Sequence, residues 1–331
     1  MKVLVYQTAF LGDLILTSPL LKSIHKTFPE SEIYLVLRRG FEDVFKGFEF
    51  IRPIPVSKPS PFALSRLIRE LSPSIAVSPH RSHRASLTLF LSRVPRRIGF
   101  DRAGFSFLYT DTVPHRFQKG LHEVERNLSL LKPLEGELTV LYDREPELPV
   151  SEVEVEKVLK KFSLKRPYIV VAPGSVWPTK AWLPEYYGEV IKHFSKKGFT
   201  VVIVGSKGDL PYCNKAWEFS DRGALNLCGK TTLREFFSLV KGAELVISND
   251  SSPVHVAVSV KTPVVEIYGA TVPDFGFYPY GKGEVVQLEG LQCRPCGIHG
   301  GKKCPEGHFR CMVDLRPELV IEKAEKLLSA I

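Results

Sequence analysis

In two short segments of the chain, a carboxylate lies at the point where a predicted strand ends and a predicted helix begins. In QTAFLGD, Gly12 permits close approach of the backbone, and Asp13 follows at or just before a predicted helix start. A carboxylate in that position serves either as a helix N-cap or as a general base. The residues alone leave both interpretations open.

The segment ISNDSSPVHVAVS is the more informative of the two. An apolar strand ends at Asp250, and Ser251 and Ser252 precede a helix whose first turn carries His255. The free amides and the dipole of such a helix start bind phosphate. Asp250 would then hold sugar hydroxyls. The alternative is an ordinary capped helix without a ligand.

Two further strand ends carry candidate binding residues. In APGSVWPTKAW, Ser175 offers a hydroxyl and Lys180 a cation to an anion, unless the lysine is only a surface residue beside packed tryptophans. In VGSKGDL, Asp209 either caps a helix or binds a ribose hydroxyl. The chain contains no GxGxxG dinucleotide fingerprint.

Four of the six cysteines fall in one short segment, CRPCGIHGGKKCPEGHFRC. Cys293 and Cys296 have metal-ligand spacing, and with Cys304 and Cys311 they could close a tetrahedral zinc site. Disulfides are the second interpretation, although they are less usual in the cytosol. Reduced thiols are the third.

Alternating apolar strands and amphipathic helices predict the elements that position these residues. Such alternation predicts βαβ units, and the runs of consecutive apolar residues are typical of parallel strands buried on both faces. Two doubly wound α/β domains, 1–150 and 151–331, are expected, joined near 140–160. The predicted strands are 2–7, 32–37, 50–56, 74–79, 168–173, 199–205, 244–250 and 263–269; the predicted helices are 17–28, 61–71, 82–92, 120–134, 184–197, 209–220, 231–242 and 316–331.

Composition restricts the class of protein. A chain of 331 residues is too long for one ordinary hydrophobic core, so two domains are expected. A content of 44% hydrophobic and 24% charged residues is typical of a globular protein. No apolar run reaches membrane-spanning length and no signal-peptide pattern opens the chain, so a cytoplasmic protein is expected. A net charge of +9 favours anionic partners, but no nucleic-acid-binding motif accompanies it.

Several segments together resemble a known family. GDLILTSPLLKSIHKTFP, HEVERNLSLL, PGSVWPTKAWLPEYYGEVI and the long block LCGKTTLREFFSLVKGAELVISNDSSPVHVAVSVKTPVVEIYGAT are similar to the lipopolysaccharide heptosyltransferases of glycosyltransferase family 9. RVPRRIGFDR and CPEGHFRCMVDLRPE resemble members close to heptosyltransferase II. The similarity runs in register from the N-terminus to the last helix.

The resemblance implies a GT-B fold, in which two Rossmann-like domains face each other across a cleft. It implies inverting transfer of heptose from ADP-L-glycero-D-manno-heptose to the inner core of lipopolysaccharide. Asp13 matches the proposed catalytic base, Lys180 the lysine near the donor diphosphate, and Asp250 the acid that contacts the heptose. The remaining matches are pyrophosphate-lining Ser251, Ser252 and His255, phosphate-binding Ser175, and nucleoside-binding Asp209 and Thr231.

Two positions depart from the family pattern and bear on the identity of the donor. Asn249-Asp250-Ser251-Ser252 stands where Asn-Asp-Thr-Gly is frequent, and Gly269-Ala270-Thr271 stands where Gly-Pro-Thr is frequent. A relative that uses another nucleotide sugar is therefore one alternative. A GT-B-like sugar-nucleotide 2-epimerase is another, and a nonenzymatic binder of core oligosaccharide is a third.

The first domain is expected to bind the acceptor, a phosphorylated inner core on lipid A, through Arg38, Arg81 and Arg84. Peripheral contact with the cytoplasmic face of the inner membrane follows from a membrane-borne acceptor. No metal cofactor is expected for catalysis, because cationic side chains and helix dipoles take that role in GT-B enzymes. The last helix is expected to pack back on the first domain.

Overall fold

A computed structural model of the chain describes residues 1–58, 60–117 and 120–330. The chain divides into two compact units, Met1–Pro149 and Val150–Ile331, called here the first and the second unit. Each is built on its own six-stranded sheet.

The sheet of the first unit is parallel, with the strand order β3-β2-β1-β4-β5-β6. The central strand pairs on both sides, with Val3 opposite Ile33 on one neighbour and Ile75 on the other. The strands are β1 (Lys2–Tyr6), β2 (Glu32–Arg38), β3 (Ile51–Val56), β4 (Ile75–Ser78), β5 (Arg96–Phe100) and β6 (Asp111–Val113).

Helices connect these strands on both faces of the sheet. Its core includes Leu4, Val36, Leu64 and Leu89, all buried. The helices are α1 (Leu11–Ile15), α2 (Ser18–Thr27), α3 (Pro61–Leu71), α4 (His83–Leu91) and α5 (Glu123–Ser129), with 3₁₀ turns at Ser106–Leu108 and Lys132–Leu134.

The second unit repeats the architecture, with the strand order β12-β11-β10-β7-β8-β9. Every residue of its three central strands is buried, as expected for a parallel sheet covered on both faces. The strands are β7 (Tyr168–Ala172), β8 (Thr200–Ile203), β9 (Leu225–Asn226), β10 (Leu245–Asn249), β11 (Val264–Tyr268) and β12 (Gly283–Gln287).

The first helix of the second unit, α6, begins with a capping box. The Ser151 side chain accepts from the Glu154 backbone N–H, and the Glu154 side chain accepts from the Ser151 backbone N–H. The helices of this unit are α6 (Glu152–Lys161), α7 (Pro184–Lys196), α8 (Leu210–Phe219), α9 (Leu233–Lys241), α10 (Ser252–Ser259), α11 (Arg310–Val313) and α12 (Pro317–Leu328). Short 3₁₀ turns lie at Pro178–Lys180, Lys207–Asp209 and Pro273–Phe275.

The last helix belongs to the second unit. Helix α12 packs on α7 and on the β10–β12 side of the second sheet. Val320, Ala324 and Leu327 bury its apolar stripe in the core of the second unit, which explains the placement.

The predicted α/β class with two doubly wound parallel sheets is confirmed. Sequence reasoning missed β5, β6, β9 and β12, and it read the start of α6 as part of the connection between domains. No helix within the described ranges is both long and apolar enough to cross a bilayer.

Candidate functional site

Each sheet has one point where the strand order reverses direction. That point lies between β1 and β4 in the first unit and between β10 and β7 in the second. Ligands of open parallel sheets bind outside the carboxyl ends of the strands at such a switch point. The loops after these four strands carry Asp13, His80, Lys180 and Asp250.

Lys180 and Asp250 meet at the switch point of the second unit. The Lys180 Nζ lies 2.7 Å from Asp250 Oδ2, and the two side chains are only 14% and 9% exposed. The Thr271 hydroxyl, which follows β11, donates to the same carboxylate oxygen at 2.5 Å. Three neighbouring strands thus contribute a cation, an anion and a hydroxyl to one small, largely buried cluster.

Asn249 fixes the two loops of this cluster to each other. Its side-chain amide donates to the carbonyls of Pro173 and Gly174 at 2.9 and 3.2 Å. Its Oδ1 accepts from the Trp182 backbone N–H at 3.0 Å and from the Tyr187 hydroxyl at 3.1 Å. Because the loop that carries Lys180 is held at both ends by the residue next to Asp250, the ion pair has a defined geometry.

The cysteine-containing loop also hydrogen-bonds to the segments that carry this cluster. Arg294 donates from Nη2 to the Thr271 carbonyl and from Nη1 to the Leu288 carbonyl, both at 2.7 Å. Gly301 N–H donates to the Thr179 hydroxyl at 2.7 Å, one residue before Lys180. Arg294 and Gly301 therefore position the backbone beside two of the three cluster residues.

The amino end of α10 lies next to Asp250. The Ser251 hydroxyl bonds the Ser248 hydroxyl at 3.2 Å and the Asn249 carbonyl at 3.2 Å, rather than the amides of the first turn. The Ser251 side chain therefore does not cap the first turn, in which Pro253 has no N–H and the Val254 N–H donates to the Ser251 carbonyl at 3.1 Å. Burial lowers the pKa of His255 to about 4, which keeps its imidazole neutral in this turn.

A fourth titratable group near the cluster was not predicted. Glu266, in the middle of β11, is fully buried. Burial raises its pKa well above the usual value, and the Asp250 carboxylate raises it further. Burial therefore favours the protonated form of Glu266, and the apolar context PVVEIYG was its only signal in the sequence.

The other predicted donor residues follow β7, β8 and β9 along the same edge of the sheet. Ser175 accepts a hydrogen bond from the Trp177 backbone N–H at 3.3 Å. Asp209 accepts from the Ser206 N–H and hydroxyl at 2.8 and 2.7 Å, as the third residue of a capping box at the 3₁₀ turn, but its side chain makes no capping hydrogen bond to α8. Thr231 lies half-buried in the loop before α9. These three residues do not enter the Lys180–Asp250–Thr271 cluster.

In the first unit, Asp13 lies half-buried on the short helix α1, directly after β1. The N-cap residue of this helix is Phe10, so Asp13 does not occupy the N-cap position that the alternative interpretation required. Its own carbonyl accepts a hydrogen bond from the Thr17 hydroxyl at 2.8 Å. The carboxylate thus projects from a short helix that is tied to α2.

A buried ion pair that sequence reasoning missed interacts electrostatically with Asp13. Glu123 Oε2 and Arg126 Nε of α5 lie 2.7 Å apart, and both residues are buried. Burial raises the pKa of Glu123 even though Arg126 opposes the shift, and the nearby Asp13 carboxylate raises it further. Both residues lie in HEVERNLSLL, one of the segments on which the family resemblance rests, but that resemblance assigned them no role.

A pocket of about 660 Å³ lies at the carboxyl edge of the first sheet. We call it the first-unit pocket. Arg38 and Arg84, two of the three predicted acceptor-binding residues, line it, whereas Arg81 does not and instead lies over the Phe117 ring at 5.9 Å. Among the described residues, the lining is Tyr6, Thr8, Arg38, Val56, Ser57, Lys58, His80, Ser82, His83 and Arg84.

The lining of the first-unit pocket is basic and contains no carboxylate among its described residues. Arg38, Lys58 and Arg84 supply the cations. Burial lowers the pKa of His80 to about 4, and Arg38 and Arg81 add to the shift. Since His80 Nδ1 lies 2.9 Å from the Thr8 hydroxyl, the neutral imidazole completes a polar wall suited to an anion.

The predicted four-thiolate zinc site does not assemble. Cys293, Cys296, Cys304 and Cys311 are free thiols, and no three His, Cys, Asp or Glu side chains of the described residues are grouped to hold one metal ion. Cys311 belongs to α11 and packs in the core of the second unit. Burial raises its pKa to about 11.

Two doubly wound parallel units form the two-domain GT-B fold. The family model for glycosyltransferase family 9 (heptosyltransferase) matches residues 65–308. The chain belongs to this family and is a glycosyltransferase.

Individual relatives cover the whole chain. It is 27% identical to lipooligosaccharide heptosyltransferase 2 of Campylobacter jejuni, over 99% of each chain. The solved structure of Escherichia coli ADP-heptose lipopolysaccharide heptosyltransferase II matches with a TM-score of 0.82 at 24% identity, covering 100% of this chain and 99% of that one. A dodecameric, iron-containing glycosyltransferase of enterotoxigenic E. coli shares the fold with a TM-score of 0.65 at 18% identity, covering 99% of this chain and 76% of that chain.

Proposed function

We propose that the chain transfers heptose from ADP-L-glycero-D-manno-heptose to the inner core of lipopolysaccharide, with inversion at the anomeric carbon. The observation that carries the proposal is the Lys180–Asp250–Thr271 cluster at the switch point of the second sheet, beside the amino end of α10. Membership of family 9 and the names of the relatives support the same donor and acceptor.

The second unit would bind the donor. Lys180 and the backbone amides of Ser251 and Ser252, at the amino end of α10, would hold the pyrophosphate, and Asp250 would accept hydrogen bonds from heptose hydroxyls. In the free protein Lys180 is paired with Asp250, so an incoming diphosphate would share this lysine. Ser175 and His255 would line the phosphates, and Asp209 and Thr231 the nucleoside.

The first unit would supply the base. Asp13 would take the proton from an acceptor hydroxyl as its oxygen forms a bond to the anomeric carbon and the bond to the diphosphate oxygen breaks. Negative charge then grows on the departing ADP. Lys180 and the α10 amides would stabilise that charge, which is electrostatic preorganisation at the leaving group. We expect no obligatory catalytic metal, because these groups take the role a cation would have.

The first-unit pocket would take an anionic part of the acceptor. Arg38, Lys58 and Arg84 surround it without an opposing carboxylate in the described lining, which suits the phosphates of an inner core carried on lipid A. Arg81 would act from beside the pocket. Because such an acceptor is membrane-borne, we further propose peripheral association with the cytoplasmic face of the inner membrane.

Acceptor-dependent release of ADP tests the proposal. The purified protein is incubated with ADP-heptose, with and without an inner-core acceptor, and released ADP and glycosylated acceptor are quantified. Stoichiometric ADP and product that appear only with acceptor are expected. Transfer only from a different nucleotide sugar would contradict the donor assignment, and acceptor-independent epimerisation of UDP-GlcNAc would contradict the reaction class.

A further inference from the structure

One face of the first unit exposes five large apolar side chains. Phe62 and Leu67 lie on α3, Phe90 lies on α4, and Phe105 and Phe107 lie at the 3₁₀ turn that follows β5. Phe62 and Phe107 are 70% and 80% exposed. We call these five residues the aromatic face.

The five residues belong to elements that pack side by side. Helix α3 packs against α4, and α4 packs against the turn Ser106–Leu108. Right-handed crossovers place α3 and α4 on the same side of the sheet, because both connections run in the same direction across it. The Phe105 and Phe107 rings are 6.0 Å apart. The exposed side chains therefore lie on neighbouring elements at one side of the sheet, and an exposed apolar surface usually marks an interaction site.

Exposed arginines lie on or next to the elements that carry the aromatic face. Arg66 and Arg69 of α3, Arg93 after α4 and Arg102 after β5 are exposed. Glu70 is the one acidic residue of α3, and the sequence of α4 contains none. The Arg97 guanidinium lies over the Phe90 ring at 5.8 Å. Exposed aromatic rings among cations complement a bilayer surface that carries anionic headgroups.

The aromatic face adjoins the first-unit pocket. His83, the first residue of α4, lines the pocket and packs edge-on against Phe105, with ring centroids 4.8 Å apart. Lys58, at the other side of the pocket, precedes α3 and Phe62 in the chain. A bilayer held against this face would present a lipid-linked sugar at the mouth of the pocket.

We propose that the aromatic face docks on an anionic membrane surface, with Phe62 and Phe107 entering the headgroup region and the arginines contacting the headgroups. The benefit of this placement to catalysis rests on the proposed function, because it assumes a membrane-borne acceptor. The docking surface itself depends only on the exposed rings and the cations around them.

Vesicle binding tests the docking surface without requiring catalysis. The intact protein is sedimented with vesicles of phosphatidylethanolamine and phosphatidylglycerol, and with vesicles of phosphatidylcholine alone. The double variant Phe62→Ser/Phe107→Ser is compared with Phe219→Ser, which alters a 49% exposed ring on α8 of the second unit. We expect the double variant to lower binding to anionic vesicles at least about 10-fold, since burying a phenylalanine contributes substantially to partitioning. The Phe219 variant should bind as the wild type does.

Three results would overturn the docking surface. They are unchanged vesicle binding by the double variant, equal wild-type binding to both kinds of vesicle, and a protein dimer that the same two substitutions dissociate. Transfer to a soluble, delipidated acceptor should stay unchanged in the double variant, whereas transfer to vesicle-embedded acceptor should fall. A protein that binds vesicles through this face but transfers no heptose would contradict the proposed function and leave the docking surface standing.

Discussion

Removal of the Lys180 ammonium should destabilise the second unit measurably. Lys180 and Asp250 are 2.7 Å apart and largely buried, so the substitution Lys180→Met leaves a carboxylate with little access to water. Breaking a buried pair by removing one partner costs about 3–5 kcal/mol. Because the Thr271 hydroxyl still donates to Asp250, we expect a smaller loss, about 2–3 kcal/mol.

The double variant Lys180→Met/Asp250→Asn identifies the cause of that loss. The double variant has no uncompensated carboxylate. Its loss of stability should therefore be smaller than the sum of the two single losses, by a coupling energy of about 1–2 kcal/mol. A matched control is Lys192→Met, which breaks the exposed pair of Lys192 and Asp221 at 2.8 Å on the same unit. An exposed pair of this kind contributes about 1 kcal/mol or less.

Urea unfolding followed by tryptophan fluorescence measures these differences, because Trp177, Trp182 and Trp217 all lie in the second unit. Calorimetric titration with ADP then measures donor-side affinity, which should fall roughly 10- to 100-fold in Lys180→Met if a charge-assisted contact is lost. A Lys180 variant that is as stable as the Lys192 variant and binds ADP normally would show that Lys180 is an ordinary surface lysine.

Three further outcomes are expected. Glu266→Gln should leave stability nearly unchanged near pH 4 and raise it increasingly at higher pH, because the raised folded-state pKa of Glu266 costs the wild type stability once the unfolded carboxyl ionises. Urea unfolding at acidic and mildly alkaline pH measures this, and a constant difference would contradict it. Added salt should raise the KM for acceptor more than the KM for donor, because Arg38, Lys58 and Arg84 line an exposed basic pocket; an equal response of the two constants would refute that role. Exhaustive chelation should leave turnover unchanged, and a loss that Mg²⁺ restores would show that a metal is required.

The long elements could be predicted because each satisfies one strong pattern. Helix α3 spans 61–71 as predicted, since Pro61 opens it and Leu64 and Ile68 recur at helical spacing. Strands β7, β10 and β11 are mostly apolar and are buried along their whole length, as in a sheet that is covered on both faces. The carboxyl ends of β7 and β10 lie at one edge of the sheet, so the expectation that Lys180 and Asp250 lie at the same edge was correct.

The missed elements lack such patterns. Strands β6 and β9 have only three and two residues and lie at sheet edges, where short strands carry little periodicity. Helix α6 lies in an acidic, Pro-containing segment that resembles a linker. Its signal was the capping-box spacing of Ser151 and Glu154.

The supporting contacts of the site could not be predicted, because their partners are backbone carbonyls brought close only by tertiary structure. Arg294 contacts carbonyls at Gly269, Thr271 and Leu288, and no residue type marks a carbonyl as an acceptor. Likewise, the spacing of the four cysteines allowed a metal site, but it could not show that Cys311 belongs to α11 and is buried in the core of the second unit.

The substitution Asp13→Asn tests the central claim most directly, since it removes the proposed base while keeping the size of the side chain. Turnover of ADP-heptose with saturating acceptor should fall by roughly 10²- to 10⁴-fold, the usual contribution of general-base catalysis. The dissociation constant for ADP should stay unchanged, because the proposed donor residues lie on the second unit. Near-normal turnover in this variant would contradict the account.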